Sequence, residues 1–274
     1  MDQNKLGNIK KKPSDILRSL FKNFFRLMPF NREYSRTIAE IIFKKLLRDN
    51  KIRDVRPSLI YSFENLNISD YLISVISDSV KVAHKLNLKC GKTNLYDSKF
   101  LNQFPGEHYR ILSAIVNVIN AKEVVEIGTY TGLGTLSIKE GLSLPGKVTT
   151  YDLISWKELG FESHFKDEDF KDGIIKQILG DLSDDDFFQQ NIEILNSADI
   201  IFMDAPKDDI FEYKMIKQFL KLEPKIGKLL IIDDIKFINM IDLWRSIKSP
   251  KIDLSSFGHW SGTGVVDISD GLKL

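Results

Sequence analysis

The stretch that decides the fold is Val124-Val-Glu-Ile-Gly-Thr-Tyr-Thr-Gly-Leu-Gly-Thr135. A β-rich apolar run, Glu123–Ile127, ends in an acid and a glycine. A glycine-rich turn then opens onto a helical pattern over 132–142. Glycines at 128, 132 and 134 let a backbone approach a ligand closely and adopt positive φ. The strand-turn-helix order places the turn at the carboxyl end of a strand, where open α/β sheets keep their ligand crevice.

Outward from this turn, short strands and helices alternate. Strands are read at 147–153, 177–179, 198–203 and 228–232, and helices at 209–222 and 239–247. That alternation predicts a largely parallel sheet with helices on both faces. The closing runs, 252–257 and 264–268, are too close in sequence for a crossover and predict an antiparallel hairpin. Upstream, a helix is expected over 107–119 and others over about 69–86, 34–47 and from Ser14 to Pro29. Residues 87–105 read as loop and residues 1–13, polar and Lys-rich, as disordered. The domain reading is therefore a basic helical extension, 1–103, followed by an α/β domain, 104–274.

The charge is uneven. The chain carries a formal net charge of +1, but residues 1–58 hold 15 Lys+Arg against 6 Asp+Glu, and the remainder holds 24 against 32. An acidic body of this kind is not expected to bind long nucleic acid through its net field, which leaves a local patch open. The basic first helix is read as packing against the body or joining two protomers in a homodimer. Contact with an anionic membrane surface or with RNA ranks behind these. One cysteine, Cys90, excludes an intrachain disulfide, no apolar run reaches the length of a membrane span, and no secretory signal is seen. These features read as a cytoplasmic protein.

Acids stand at successive strand ends. Glu126 suits a cationic ligand group better than a pyrophosphate, which seeks exposed N–H donors. Asp152 is placed to accept from ribose hydroxyls and Asp181, in Gly180-Asp-Leu, from an adenine amino group. The spacing Gly128-x-x-x-Gly132-x-Gly134 departs from the dinucleotide fingerprint, which disfavours an NAD-dependent dehydrogenase. S-adenosylmethionine, with a sulfonium and an amino group and no phosphate, fits this set. Thr129 and Tyr130 complete the turn; Trp156 is a further aromatic nearby, for which packing is the plainer reading.

Residues 104–268 resemble the class I S-adenosylmethionine-dependent methyltransferases, through the E-x-G-x-x-x-G motif and the closing antiparallel strand. Within that superfamily they are most similar to the catechol and caffeoyl-CoA O-methyltransferase group. The resemblance implies a Rossmann-like, mostly parallel sheet and methyl transfer to a hydroxyl.

Ile200-Ile-Phe-Met-Asp-Ala-Pro-Lys places Asp204 and Lys207 past one buried strand; Leu229-Leu-Ile-Ile-Asp-Asp places Asp233 and Asp234 past its neighbour. Three clustered carboxylates suit a hard divalent cation such as Mg²⁺. Lys207, partly buried, is expected to have a depressed pKa and to act as base. The resemblance implies the same roles: an Asp-x-x-Lys segment giving a metal ligand (Asp204) and a base (Lys207), and an Asp-Asn pair giving the other ligands. Here that pair is Asp233-Asp234. A carboxylate replaces the amide, so the acids serve either a metal or substrate hydrogen bonds, and the sequence leaves both open. His259, in Gly258-His-Trp-Ser-Gly-Thr-Gly, is an alternative base, although a hairpin tip is the plainer reading. His84, His108 and His164 show no ligand spacing. The expected acceptor is a hydroxyl of a small molecule or glycan. The rivals are a tRNA-modifying enzyme using the basic arm, and a non-catalytic binding module of the same fold.

Overall fold

The computed structural model describes residues 68–91, 100–208, 210–237 and 240–274, with the side chain at 161 excepted. The start read as disordered, the helices expected at 14–29 and 34–47, and the basic arm lie outside the described residues.

The strands are β1 (Glu123–Ile127), β2 (Lys147–Asp152), β3 (Ile175–Leu179), β4 (Ile200–Met203), β5 (Leu229–Asp233), β6 (Lys251–Asp253) and β7 (Thr263–Asp267). They form one sheet in the order β3-β2-β1-β4-β5-β7-β6. The first five are parallel, and β7 runs antiparallel between β5 and β6. This is the expected Rossmann-like sheet with its closing hairpin. The order reverses between β1 and β4: chain leaving β1 crosses to β2 on one side, and β4 and β5 lie on the other. A crevice opens at such a reversal, at the carboxyl ends of the strands.

The helices are α1 (Asp70–Lys85), α2 (His108–Val118), α3 (Leu133–Gly141), α4 (Asp185–Gln190), α5 (Ile192–Ser197), α6 (Phe211–Phe219) and α7 (Met240–Ser246). Strand residues alternate between two cores, as the two-residue pleat requires. Val124, Ile200, Phe202, Leu229 and Ile231 pack on one face with Leu72 and Ile76 of α1 and Ile111 and Ile115 of α2. Val125, Ile127, Ile201, Met203, Leu230 and Ile232 pack on the other with Met215 and Phe219 of α6 and Trp244 of α7. Burying each such Ile or Leu contributes about 1.5–3 kcal/mol.

Helix α1 thus shares a core with the sheet, although the sequence reading grouped it with the N-terminal extension. Ser69 caps its start by accepting from Leu72 N at 3.2 Å. Arg110 of α2 closes its end, donating to Ala83 O and to His84 O (3.0 Å). Element boundaries follow local hydrogen bonds. The strand expected over 252–257 stops at Asp253, because its Oδ1 accepts from Ser255 N (2.8 Å) and Oγ (2.5 Å) and turns the chain. The short helices α4 and α5 are additional to the sequence reading. Among the described residues, no helix is long and apolar enough to cross a membrane.

Candidate active site

Every strand end singled out in the sequence lies along the carboxyl edge of the sheet. At its centre, Gly128 N donates to Tyr151 O at 2.8 Å and Asp204 N to Ile127 O at 2.9 Å, so the turn after β1 is flanked by β2 and β4. Gly128 has φ +101°, and a Cβ there would lie 2.0 Å from Asp204 O. Gly132, with φ +88°, precedes α3, where a Cβ would meet the Phe165 ring at 2.5 Å. These two glycines are demanded by conformation and by space alike. Tyr130, 60% exposed, also has positive φ, and its N–H donates to Asp152 Oδ2 at 2.8 Å. Asp152 Oδ1 accepts from Ile154 N at 3.1 Å. Asp181 is exposed, and its Oδ1 accepts from Ser183 N at 2.8 Å. Trp156 stacks on Phe170, with ring centroids 5.0 Å apart, and meets Phe165 edge-on.

Glu126 differs from a carboxylate displayed to a ligand. It is fully buried. Its Oε2 accepts from Thr135 Oγ1 and, at 2.6 Å, from Thr150 Oγ1. Its Oε1 lies where a Cβ on residue 134 would come within 2.3 Å, so Gly134 makes the space for it. Burial pushes its carboxyl up to about 8, with the two threonine hydroxyls only partly opposing the shift. Thr129 is also buried, and its hydroxyl lies 2.7 Å from that of Thr150.

The second half of the site joins the ends of β4 and β5. Lys207, buried and at φ +56°, hydrogen-bonds Asp204 Oδ1 and lies 3.0 Å from Asp234 Oδ2. Burial alone would lower its pKa, but Asp204, Asp234 and Asp233 outweigh that and hold the amine above the ordinary lysine range. The depressed pKa expected from partial burial is therefore not what these surroundings produce, because three carboxylates surround one ammonium. Asp204 is raised to about 6, chiefly by burial; Lys207 opposes the shift and Asp233 adds to it. About a third of its side chain is exposed, so solvent screens part of this. Oxygens of Asp204, Asp233 and Asp234 lie within 4.8 Å of one another.

His259 joins this cluster from the turn between β6 and β7. It sits in the hairpin turn, as read from the sequence, but is only 6% exposed, whereas its neighbour Trp260 is 40% exposed. Its Nδ1 is 3.1 Å from Asp233 Oδ1, and its ring stacks on His108 with centroids 4.0 Å apart. Burial opposes its charge, but Asp233 prevails and raises the imidazole to about 9. Burial also opposes charge on Asp233, yet His259 holds that carboxyl well below its usual range. Two contributors had no local signal in the sequence. His108 starts α2, 151 positions from His259. Glu212, buried in the first turn of α6, accepts from Lys207 N and holds that left-handed turn. Asp208 supports the same turn, accepting from Ile210 N and Phe211 N, each at 2.9 Å.

Residues 76–243 match the O-methyltransferase family. Caffeoyl-CoA O-methyltransferase 2 of Petunia hybrida is 30% identical over 125 residues, 43% of this chain and 49% of that one. A Dictyostelium discoideum protein named "Probable caffeoyl-CoA O-methyltransferase 3" is 29% identical over 148 residues, 53% of this chain and 57% of its own. The chain thus spans about half the length of the curated relatives it matches. Among solved structures, the SAH-bound Podospora anserina methyltransferase PaMTH1 aligns over 88% of this chain and 97% of its own, at 16% identity and a TM-score of 0.45.

Proposed function

Because the chain belongs to the O-methyltransferase family, we propose that it moves a methyl group from S-adenosylmethionine to a hydroxyl of a small molecule or glycan. The observation that carries this is the direct backing of the turn after β1, at Gly128, onto Asp204, the first of the clustered carboxylates. One crevice then holds the cofactor beside the acids and the amine. The names of the curated relatives, caffeoyl-CoA O-methyltransferases, support the reaction class.

In this reading the turn formed by Gly128, Thr129, Tyr130 and Gly132 receives the amino-acid and sulfonium end of the cofactor, with Glu126 beneath it and Asp204 beside it. Asp152 takes the ribose hydroxyls; each of its oxygens already accepts one N–H and retains a second lone pair. Asp181 takes the adenine amino group. Lys207, a cation in these surroundings, holds the acceptor oxygen by hydrogen bond. In the absence of a bound cation, Asp204, raised to about 6 and the most exposed of the three acids, takes the hydroxyl proton near neutral pH. The acceptor oxygen forms its bond to the methyl carbon as the carbon–sulfur bond breaks, its electron pair passing to sulfur. The protein's main contribution is to align these groups.

Asp204, Asp233 and Asp234 offer hard oxygen donors close enough to share one ion, and they already draw the Lys207 ammonium. This donor set fits a divalent cation such as Mg²⁺. When bound, the cation would act as a Lewis acid toward the acceptor hydroxyl. The protein is assigned the cytoplasmic location read from its sequence.

Turnover tests the proposal. Purified protein is incubated with methyl-labelled S-adenosylmethionine and a panel of hydroxyl acceptors, with and without Mg²⁺. Label should pass to oxygen, and Lys207→Met should remove turnover while leaving cofactor binding intact. Transfer to nitrogen or carbon alone would overturn the reaction class, and full activity in EDTA would remove the metal.

A further inference from the structure

Successive residues of a strand point to opposite faces, yet Asp233 and Asp234 present their carboxylates to the same crevice. The backbone explains how. Asp233 closes β5, and Asp234 adopts φ +59°, a left-handed conformation that reverses its direction. Two adjacent carboxylates facing one way repel, and something must hold them.

One ring touches both. His259 Nδ1 lies 3.1 Å from Asp233 Oδ1, and its Nε2 lies 2.9 Å from Ser261 Oγ, which donates to Asp234 Oδ1. A serine hydroxyl has a single proton. Ser261 gives that proton to Asp234, so it can only accept from His259 Nε2, which must carry a hydrogen. On the other side Nδ1 lies 3.0 Å from Thr263 Oγ1, whose own proton goes to Asp233 Oδ1, so Nδ1 carries a hydrogen as well. With Asp233 and Asp234 ionised, this pattern is that of a ring donating from both nitrogens. Thr263 adds a second donor to Asp233 Oδ1 at 3.0 Å.

The ring is itself held in place. It is stacked on His108, whose Nδ1 is 2.9 Å from Pro105 O. A carbonyl only accepts, so that nitrogen carries a proton. The turn bearing His259 is tied to the chain just beyond Asp234, with Ile235 N donating to Gly262 O at 3.0 Å and Lys236 N to Ser261 O at 2.8 Å. With one oxygen of each carboxylate engaged in this way, Asp234 Oδ2 faces Lys207.

We infer that His259 is a positioning residue: its two nitrogens, one directly and one through Ser261, fix Asp233 and Asp234 so that their remaining oxygens converge with Asp204 on a cation. This rests on the cation-binding reading of the three acids. Groups that hydrogen-bond a metal's carboxylate ligands typically contribute about 10- to 100-fold to affinity.

The test is a titration of the full chain with Mn²⁺ alone, following the free ion by electron paramagnetic resonance. Wild type is expected to bind one ion, His259→Phe to bind it at least about 10-fold more weakly, and Ser261→Ala, which cuts only the Asp234 arm, to fall between. His259→Asn, which retains a donor toward Asp233, should recover part of the loss. S-adenosylmethionine binding should be unchanged in all three, which separates positioning from general damage. If His259→Phe does not fold, Ser261→Ala and His259→Asn decide the matter. Variants that fold and bind Mn²⁺ as wild type does would overturn the inference alone. A wild type that binds no Mn²⁺ would overturn the cation reading and the inference with it.

Discussion

The α-carbon of Gly128 faces the carbonyl oxygen of Asp204 so closely that a single added methyl carbon would lie 2.0 Å from it. The glycine turn and the acidic cluster are thus one unit. Gly128→Ala should distort both: the φ of +101° alone costs a non-glycine residue about 1–2 kcal/mol, and the backbone clash adds to it. Gly160→Ala is the matched control, because Gly160 also has positive φ but has no atom within 4 Å of its added Cβ. Thermal unfolding should show Gly128→Ala clearly less stable than the control, with cofactor binding lost only in the former. Equal effects would mean that the close approach is unimportant.

Glu126 should leave a mark on stability against pH. Its carboxyl is raised to about 8 in the folded chain, against an ordinary value near 4.5. Between these values the folded state binds more protons than the unfolded one, so its contribution to stability declines as pH rises from about 4.5 to 8 and is flat outside that window. Glu126→Gln retains an oxygen to accept from Thr135 and Thr150 and removes the titration. Chemical denaturation at pH 5, 7 and 8.5 should therefore show a shallower decline for Glu126→Gln than for wild type. Parallel curves would place the charge of Glu126 elsewhere.

Lys207→Met leaves Asp204, Asp233 and Asp234 without the ammonium that two of them touch. Removing one partner of a buried ion pair costs about 3–5 kcal/mol, and the loss should be larger at pH 8 than at pH 5, where Asp204 takes up a proton and relieves the repulsion. Denaturation midpoints at the two pH values check this. A loss independent of pH would indicate that Lys207 stabilises by packing alone.

Glu212 holds the backbone of Lys207 from the first turn of α6. Glu212→Ala removes the acceptor of a buried N–H and should destabilise by about 1–3 kcal/mol. Turnover should fall through kcat, with KM for the cofactor little changed, because the amine drifts while the cofactor turn stays. Glu212→Gln, which keeps an oxygen acceptor, should restore most of kcat. Failure of that rescue would show that the charge of Glu212, rather than its hydrogen bond, matters.

What could be read from sequence followed the range of the interactions. The β1 turn was legible because Glu126, Gly128, Gly132 and Gly134 are local, and the parallel sheet because each buried strand announces itself in four to six residues. The closing hairpin followed from chain length alone. The sheet's edge acids, Asp152, Asp181, Asp204, Asp233 and Asp234, came from strand ends. Electrostatic state did not follow from residue type: Lys207 is held as a cation by carboxylates from two strands, and Glu126 is buried beneath the turn it was expected to line. His108 and His259 meet through tertiary packing across most of the domain, and no spacing rule connects them. Helix α1 was grouped with the N-terminal extension because its pattern is a generic amphipathic one, which does not say what it packs against.

The central claim is that the crevice beside Gly132 and Asp152 takes S-adenosylmethionine. Isothermal titration of the full chain with S-adenosylmethionine, and separately with NAD, tests it most directly. One molecule of S-adenosylmethionine should bind per chain, with affinity reduced about 10- to 100-fold in Asp152→Ala through the lost charged hydrogen bonds, and NAD should give no comparable heat. Binding of NAD in preference, or S-adenosylmethionine affinity indifferent to Asp152→Ala, would contradict it.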